Sequence, residues 1–347
     1  MEQILIEFHT MEQKYLENIK ETLNFIKRFK KLCNHGQPVA QIPCELSGNY
    51  KLLEQTFKDY QDIHEFNRKL SEIMGKKSQI DVSSLAVFFQ QNSFEFKTKY
   101  SIYCYFYQKH TASIINNNTV YFNNLSHQFG TIFNLGQQLQ RPQTMILMYL
   151  KVFSDLSNIA KENEDEELAM VLNDSRDIIS SIDIIIDDLS KADSIQGYNG
   201  WLRKEGVLLK SGPVKFILCS KSNQRKGSFS AFEASSVHGD IGVGTQEDSE
   251  EGYMFLFEGS LILSRKKKNV YESVKFFSNF SLAVRILRDA KFELENVETN
   301  EKIWIFLEDN QDMLSWVQKV SKFLQKYNIF LKTFSSDHLT VHTTLDD

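Results

Sequence analysis

The chain has 347 residues, of which 41% are hydrophobic and 24% charged, a balance typical of folded globular proteins and sufficient for two domains. Residues 1–195 contain 20 basic and 25 acidic residues, and the remainder contains 20 of each. Neither part has the excess of positive charge that is typical of nucleic-acid binding.

The cysteines and the apolar runs predict a cytoplasmic protein. The four cysteines are far apart and show no CxxC spacing, so we expect reduced thiols and no metal site. No apolar run approaches the ~18 residues needed to span a bilayer, and the N-terminus lacks a signal-peptide pattern.

Long helices are predicted for the first half of the chain by a 3.6-residue apolar period. One helix of roughly seven turns is expected from residue 4 to the end at Asn34, and a second over residues 53–70. A third starts near Val82 and is expected to break near residues 91–93. Residues 168–189 predict a last amphipathic helix, which completes an elongated bundle of about six helices.

A central helix is predicted over residues 139–160, which include six successive apolar residues, 145–150. Pro142 is expected in its first turn, where the missing N–H costs nothing. Lys151 and Asp155 mark the side that reaches solvent.

The second half changes to short apolar runs that predict strands over residues 206–209, 215–219, 253–257, 261–263 and 302–307. Residues 220–252, rich in Ser, Gly and charge, are expected to form a long mobile loop. A stripe over residues 313–324 predicts a final helix, capped by Asp309 or Asn310 and anchored by Trp316. A small β-barrel or sandwich closed by this helix is therefore expected.

Six sequence features occur in a characteristic order: Met11-Glu-Gln-Lys-Tyr-Leu, Gln41-Ile-Pro-Cys-Glu-Leu, Asp62-Ile-His-Glu-Phe, residues 94–104, Leu139-Gln-Arg and Trp316 in the last helix. With them the chain resembles a Dbl-homology domain followed by a pleckstrin-homology domain, the tandem of guanine-nucleotide exchange factors for Rho-family small GTPases. The resemblance implies a helical Dbl-homology domain over residues 1–195, a pleckstrin-homology domain over 196–328 and a tail over 329–347.

The resemblance also implies a function and a set of contact residues. Such factors bind the nucleotide-free GTPase most tightly and carry out no covalent chemistry. A glutamate of the first motif contacts switch I in the family, and this position is Glu12, which we expect beside the buried stripe and free to reach a partner. A residue of the last helix contacts switch II, and this position is Asp183, which points off its apolar stripe. Gln140 and Arg141 open the third conserved region.

One expected contact departs from the family pattern. Counted from Gln140 and Arg141, the family's switch II lysine falls on Leu150, and Lys151 is one residue further, about 100° around the helix. Either Lys151 serves through a shift of register or this contact is missing. The alternative function is therefore a catalytically impaired scaffold that binds a GTPase or a membrane without exchange.

The pleckstrin-homology resemblance implies weak binding of phosphoinositides. Basic residues cluster between residues 203 and 226 and include Lys210, Lys215, Arg225 and Lys226. A second basic residue two positions after Lys215, typical of strong headgroup sites, is absent. We expect weak attraction to an anionic leaflet, with peripheral association with the plasma membrane, and surface charge for solubility is the alternative.

A conventional enzyme is the least favoured class. The sequence has no nucleophile elbow, no phosphate-binding glycine loop and no HExxH motif. We therefore expect a GTPase regulator that needs no cofactor and binds no nucleic acid.

Overall fold

The computed structural model describes residues 1–34, 42–75, 81–131, 134–198, 202–219, 249–268, 270–278, 282–287 and 290–326. The chain divides into two compact units, Met1–Leu189 and Ser190–Asp347. The predicted boundary after residue 195 stays a prediction. The predicted tail and most of the predicted long loop lie outside the described residues.

The first unit is helical. Its period-3.6 segments form the helices α1 (Glu2–Asn34), α2 (Cys44–Gly48), α3 (Tyr50–Met74), α4 (Val82–Gln91), α5 (Ser93–Phe106), α6 (Ala112–Asn117), α7 (Thr119–Gln128), α8 (Leu135–Glu162) and α9 (Glu166–Asp193). The break expected near residues 91–93 occurs at Asn92, between α4 and α5. A π-helical turn, Tyr107–Thr111, joins α5 to α6.

Helix α8 begins earlier than the sequence predicts. Asn134 caps it by accepting the N–H of Gln137, so Pro142 lies inside the helix and not in its first turn. Because proline has no N–H, the carbonyl of Gln138 loses its intrahelical donor. The Tyr60 hydroxyl donates to this carbonyl at 3.2 Å, which compensates the lost hydrogen bond.

The second unit contains one antiparallel sheet. Its strands are β1 (Leu208–Cys219), β2 (Glu250–Phe257), β3 (Ser260–Lys267), β4 (Val270–Ser278), β5 (Leu282–Ile286), β6 (Lys291–Asn296) and β7 (Glu301–Phe306), in the order β4-β3-β2-β1-β7-β6-β5. Among the described residues β4 and β5 do not pair, so the sheet stays open. Strand β1 unites two predicted strands, and β2 begins inside the predicted loop.

Helix α10 (Asn310–Lys326) packs on this sheet. Asp309 accepts the N–H of Asp312 at 2.7 Å and so caps the helix, as expected. Trp316 is buried in the core of the unit together with Val320. A helical bundle followed by a sheet with a C-terminal helix was the predicted fold class, and it is confirmed.

The exposed edge of β4 is partly covered by the segment that follows α9. The N–H of Gln196 donates to the carbonyl of Tyr271, and its carbonyl accepts the N–H of Ser273, both at 2.8 Å. The neighbouring Ile195 is buried. This one-residue bridge pairs backbone groups that an edge strand otherwise leaves open.

Among the described residues, no helix combines the length and the apolar character that a membrane span requires.

Candidate functional site

Helix α8 presents a continuous row of side chains to solvent, here called the α8 stripe: Gln140, Thr144, Leu147, Met148 and Lys151. Their spacing of three and four residues places them on one face. Leu147 is 64% exposed and Met148 is 37% exposed. Two large apolar side chains are adjacent in solvent here and are flanked by polar ones, which makes this face a candidate protein-binding surface.

The structure places Lys151, and not Leu150, on this stripe. Leu150 is only partly exposed and packs against the core of the first unit, whereas Lys151 is exposed. The two differ because consecutive helical residues are about 100° apart. A lysine is therefore present on the predicted face, although its role stays a prediction.

The predicted residues at the start of the third region differ in exposure. Gln140 is exposed and belongs to the α8 stripe, whereas Arg141 is half-buried. Arg141 lies near Tyr60, where its positive charge acts to lower the pKa of that phenol, against the larger raising effect of burial. Of the two, Gln140 is the better placed to contact a partner.

Asp183 on α9 is exposed, as expected from its place off the apolar stripe. Burial raises the pKa of Cys104 on α5, and the charge of Asp183 adds to this effect, so the two residues are close. Asp183 is therefore an exposed carboxylate on the side of α9 that lies near α5.

Ile184 is a further exposed residue that sequence reasoning missed. Its side chain is 64% exposed, next to Asp183. The run Ile182–Ile186 hid it, because an isoleucine in an amphipathic helix is expected on the buried side. A pairing of exposed aspartate and exposed isoleucine extends the candidate surface onto α9.

The prediction that Glu12 is free to reach a partner is wrong. Its side chain is 0% exposed. Its Oε1 is hydrogen-bonded to the Tyr149 hydroxyl, and its Oε2 has no hydrogen-bond partner. Burial raises the pKa of Glu12 from 4.5 to about 8, against the smaller opposing effect of the Tyr149 hydrogen bond.

The helical period explains this burial. Glu12 is four residues after Phe8 and three before Tyr15, both of which are buried. It therefore lies within the buried stripe of α1. Met11, which was also expected in that stripe, is only partly buried but packs against the same core.

Asn67 of α3 connects Glu12 to the rest of the core. Its Nδ2 donates to the Ile63 carbonyl at 2.9 Å and to the Tyr100 hydroxyl at 2.8 Å, while Tyr149 reaches its Oδ1 at 2.7 Å. These side chains link α1, α3, α5 and α8 directly beneath the α8 stripe. We call Glu12, Asn67, Tyr100 and Tyr149 the polar core cluster.

In the second unit, Lys210 does not have the exposure expected of a headgroup ligand. Its side chain is 17% exposed, and its Nζ donates to Asp312 at 2.9 Å and to Ser315 at 2.7 Å. The same Nζ lies 5.0 Å from the centre of the Trp316 ring, a cation–π contact. The structure thus corrects this prediction: Lys210 holds α10 against β1.

Lys215 points to the other face of β1 and is exposed. It lines a cleft of about 430 Å³ together with Lys266, Tyr253 and Tyr271, but also with Glu251, Glu308 and Asp312. The carboxylates disfavour a phosphate group in this cleft. Arg225 and Lys226 lie outside the described residues.

Replacement of Lys210 by alanine is expected to destabilise the second unit by about 1–3 kcal/mol, because two hydrogen bonds and the contact with Trp316 are lost. Lys215→Ala is the matched control, since its exposed side chain should change stability by less than about 0.5 kcal/mol. Urea unfolding of both variants measures the difference. Equal stabilities would contradict a structural role for Lys210.

The described residues contain no group of three or more His, Cys, Asp or Glu side chains that could hold a metal ion.

No family model and no curated protein matches this chain. Among solved structures it is similar to the Vav1 exchange factor, with 16% identity over 93% of this chain and 82% of that chain and a TM-score of 0.42. It is also similar to the DH/PH fragment of PDZRHOGEF in complex with human RhoA, with 11% identity over 93% of each chain and a TM-score of 0.43. A complex of human RhoA, its inhibitor and the DH/PH domain of human ARHGEF11 gives 11% identity over 94% of each chain and a TM-score of 0.44.

These likenesses transfer no residue roles to this chain, because identities are 10–16% and TM-scores lie below 0.5. The order of the helices, the topology of the sheet and the final helix belong to the chain itself. On that basis the chain has the fold class that its sequence predicts, a helical bundle followed by an antiparallel sheet with a C-terminal helix, and the assignment to the Dbl-homology and pleckstrin-homology families stays a prediction.

Proposed function

We propose that the helical unit is a guanine-nucleotide exchange factor that binds a Rho-family small GTPase through the α8 stripe and the adjoining Asp183 and Ile184. The observation that carries the proposal is the exposure of Leu147 and Met148 next to Lys151, on the helix that the sequence resemblance assigns to GTPase binding. Apolar anchors with a flanking cation are suited to a partner surface of mixed character.

The proposed mechanism is a thermodynamic linkage and requires no covalent step. If the α8 stripe binds the empty GTPase more tightly than the loaded form, reciprocity requires that the bound GTPase hold its nucleotide less tightly. Lys151 would supply a positive charge and Asp183 a negative one. Leu147 and Met148 would supply the apolar area between them.

A second candidate, binding without exchange, is favoured by one observation. Glu12, which the resemblance assigns to switch I, is fully buried and cannot contact a partner in this conformation. A surface that lacks this contact would hold the GTPase without displacing its nucleotide. The two candidates share the α8 stripe and differ only in whether nucleotide release is accelerated.

Fluorescent-nucleotide release from a panel of Rho-family GTPases, with binding to the nucleotide-free forms measured in parallel, separates the candidates. Exchange with at least one member supports the first function, and binding without exchange supports the second. Absence of both with every member would overturn the proposed site and function together.

Leu147→Ala and Lys151→Ala are each expected to weaken binding about tenfold or more, because they remove an apolar anchor and the flanking charge. Met170→Ala is the control for Leu147, since Met170 is also a large exposed apolar residue, 61% accessible on α9. Lys161→Ala is the control for Lys151, because both lysines are exposed on α8. Equal losses in the test and control variants would show that the partner binds elsewhere.

We also propose a weak attraction of the second unit to anionic membrane surfaces, with Lys215, Arg225 and Lys226 as its cations and Lys210 no longer among them. The support is the density of basic residues between positions 203 and 226. A cytoplasmic protein at the inner face of the plasma membrane would follow. Co-sedimentation with vesicles with and without phosphatidylinositol bisphosphate tests it, and equal sedimentation with neutral vesicles would contradict it.

A further inference from the structure

The polar core cluster contains one acceptor too many if Glu12 is ionised. Asn67 is fixed in orientation, because its Nδ2 donates to the Ile63 carbonyl, which can only accept. Its Oδ1 therefore faces Tyr149 at 2.7 Å as an acceptor. The Tyr149 hydroxyl carries one proton, yet it lies within hydrogen-bond reach of both this oxygen and Glu12 Oε1.

A proton on Glu12 supplies the missing hydrogen-bond donor. Glu12 then donates to the Tyr149 oxygen, and Tyr149 donates to Asn67 Oδ1, so each of these two contacts has one donor and one acceptor. Without that proton Asn67 Oδ1 keeps only the longer contact from the Tyr100 hydroxyl, at 3.2 Å. Glu12 Oε2 has no hydrogen-bond partner in either state, and this costs more free energy when the group is charged.

The surroundings of Glu12 favour the neutral acid. The titratable groups that face it are the phenols Tyr15 of α1, Tyr100 of α5 and Tyr149 of α8, and α3 contributes the amide of Asn67. The described residues give Glu12 no ion pair. Its environment thus offers nothing that stabilises a negative charge beyond one hydroxyl.

Tyr149 lies between Met148 and Lys151 in sequence, on the buried side of the same two turns of α8. We propose that Glu12 is a positioning residue: as a protonated carboxyl it donates to Tyr149, holds α1 against α8 and keeps the α8 stripe in its binding arrangement, and loss of this proton at alkaline pH loosens the contact. The part of this inference that concerns partner binding rests on the proposed function.

The direction of the pH effect follows from the raised pKa. The folded state keeps the proton up to about pH 8, whereas an opened state with Glu12 in water loses it near 4.5. The contribution of Glu12 to the free energy of unfolding is therefore greatest below pH 4.5 and declines as the pH rises to about 8. The opening equilibrium should increase by up to about tenfold per pH unit in this window.

Hydrogen exchange of the full chain tests the inference without a partner. The ratio of amide exchange rates in α1 and α8 between wild type and Glu12→Gln cancels the intrinsic effect of pH. This ratio is expected to rise by up to about tenfold per unit between about pH 6 and 8. Glu17 is exposed on the same helix, so the ratio between wild type and the control variant Glu17→Gln should not change with pH. A flat ratio for Glu12→Gln as well would overturn the inference.

Infrared spectroscopy of the wild-type chain keeps the inference testable should Glu12→Gln fail to fold. A carbonyl band of a protonated carboxyl is expected at neutral pH and should disappear as the pH rises above about 8. In a folded Glu12→Gln variant the band should be missing at every pH. Absence of the band in wild type at neutral pH would overturn the inference.

A binding measurement with nucleotide-free Rho-family GTPases between about pH 6.5 and 8.5 tests the link to the partner. Wild-type affinity is expected to fall several-fold with rising pH, and Glu12→Gln affinity to change less. If no GTPase binds at any pH, the proposed function fails, but the hydrogen-exchange and infrared results still decide whether Glu12 is protonated. Parallel pH profiles for the two proteins would overturn the link between Glu12 and the α8 stripe.

Discussion

Trp316→Ala is expected to destabilise the second unit by about 3–5 kcal/mol, the largest effect of any single truncation in its core. The indole is 1% exposed and lies against β1, where a Cβ built on Gly212 would be 3.7 Å from its Cζ2. Its ring also receives the cation–π contact of Lys210. Truncation thus leaves a cavity between α10 and the sheet and deprives the ammonium of its aromatic partner.

Leu314→Ala is the matched control for this experiment, because Leu314 is on the same helix but 42% exposed. Its loss should change stability by less than about 1 kcal/mol. Hydrogen exchange of the β1 and β7 amides under urea reports the second unit separately from the first. Similar losses in the two variants would show that α10 contributes little to the core.

Tyr149→Ala is expected to destabilise the first unit by about 4 kcal/mol or more. The ring is buried, with ring centres of Phe8 and Phe89 at 5.8 and 5.7 Å. Its removal creates a cavity and also leaves Glu12 and Asn67 without their shared partner. Burial of an unsatisfied polar group adds to the cost of the cavity.

Tyr149→Phe separates these two costs, because it removes the hydroxyl and keeps the ring. It should lose about 1–3 kcal/mol. Leu147→Ala, two residues earlier and largely exposed, should change stability by less than about 1 kcal/mol. Denaturant unfolding followed by circular dichroism measures all three. A Tyr149→Ala variant as stable as Leu147→Ala would mean that the polar core cluster does not hold the bundle together.

Regular periodicity made most of the fold predictable. The stripe over residues 168–189 packs on the core of the first unit and the stripe over residues 313–324 on the core of the second, so the pattern and the structure agree. Strand β4 escaped prediction because only Phe277 in it is buried. Pro213 lies between the two predicted strands that β1 unites, and the pairing with β7 begins only at Lys215, so the missing N–H lies where one side of the strand is unpaired.

The candidate site was predictable only in part, for a physical reason. Exposure of Asp183 and Lys151 follows from local helical spacing, which the sequence contains. The burial of Glu12 depends on Tyr149, which lies 137 residues away in the chain. We expected the Glu12 carboxylate in water because burial of an isolated charge is so unfavourable. A local pattern shows neither the Tyr149 hydroxyl nor the proton that makes the burial possible.

The bridge between Gln196 and β4 determines how the second unit should be produced as a separate fragment. A fragment that starts after Tyr198 would lack the strand-like cover, and the carbonyl of Tyr271 and the amide of Ser273 would be open to another molecule. Such a fragment is prone to edge-to-edge self-association during expression. Starting at Ser190 retains both hydrogen bonds and the buried Ile195, and so should yield a monodisperse preparation.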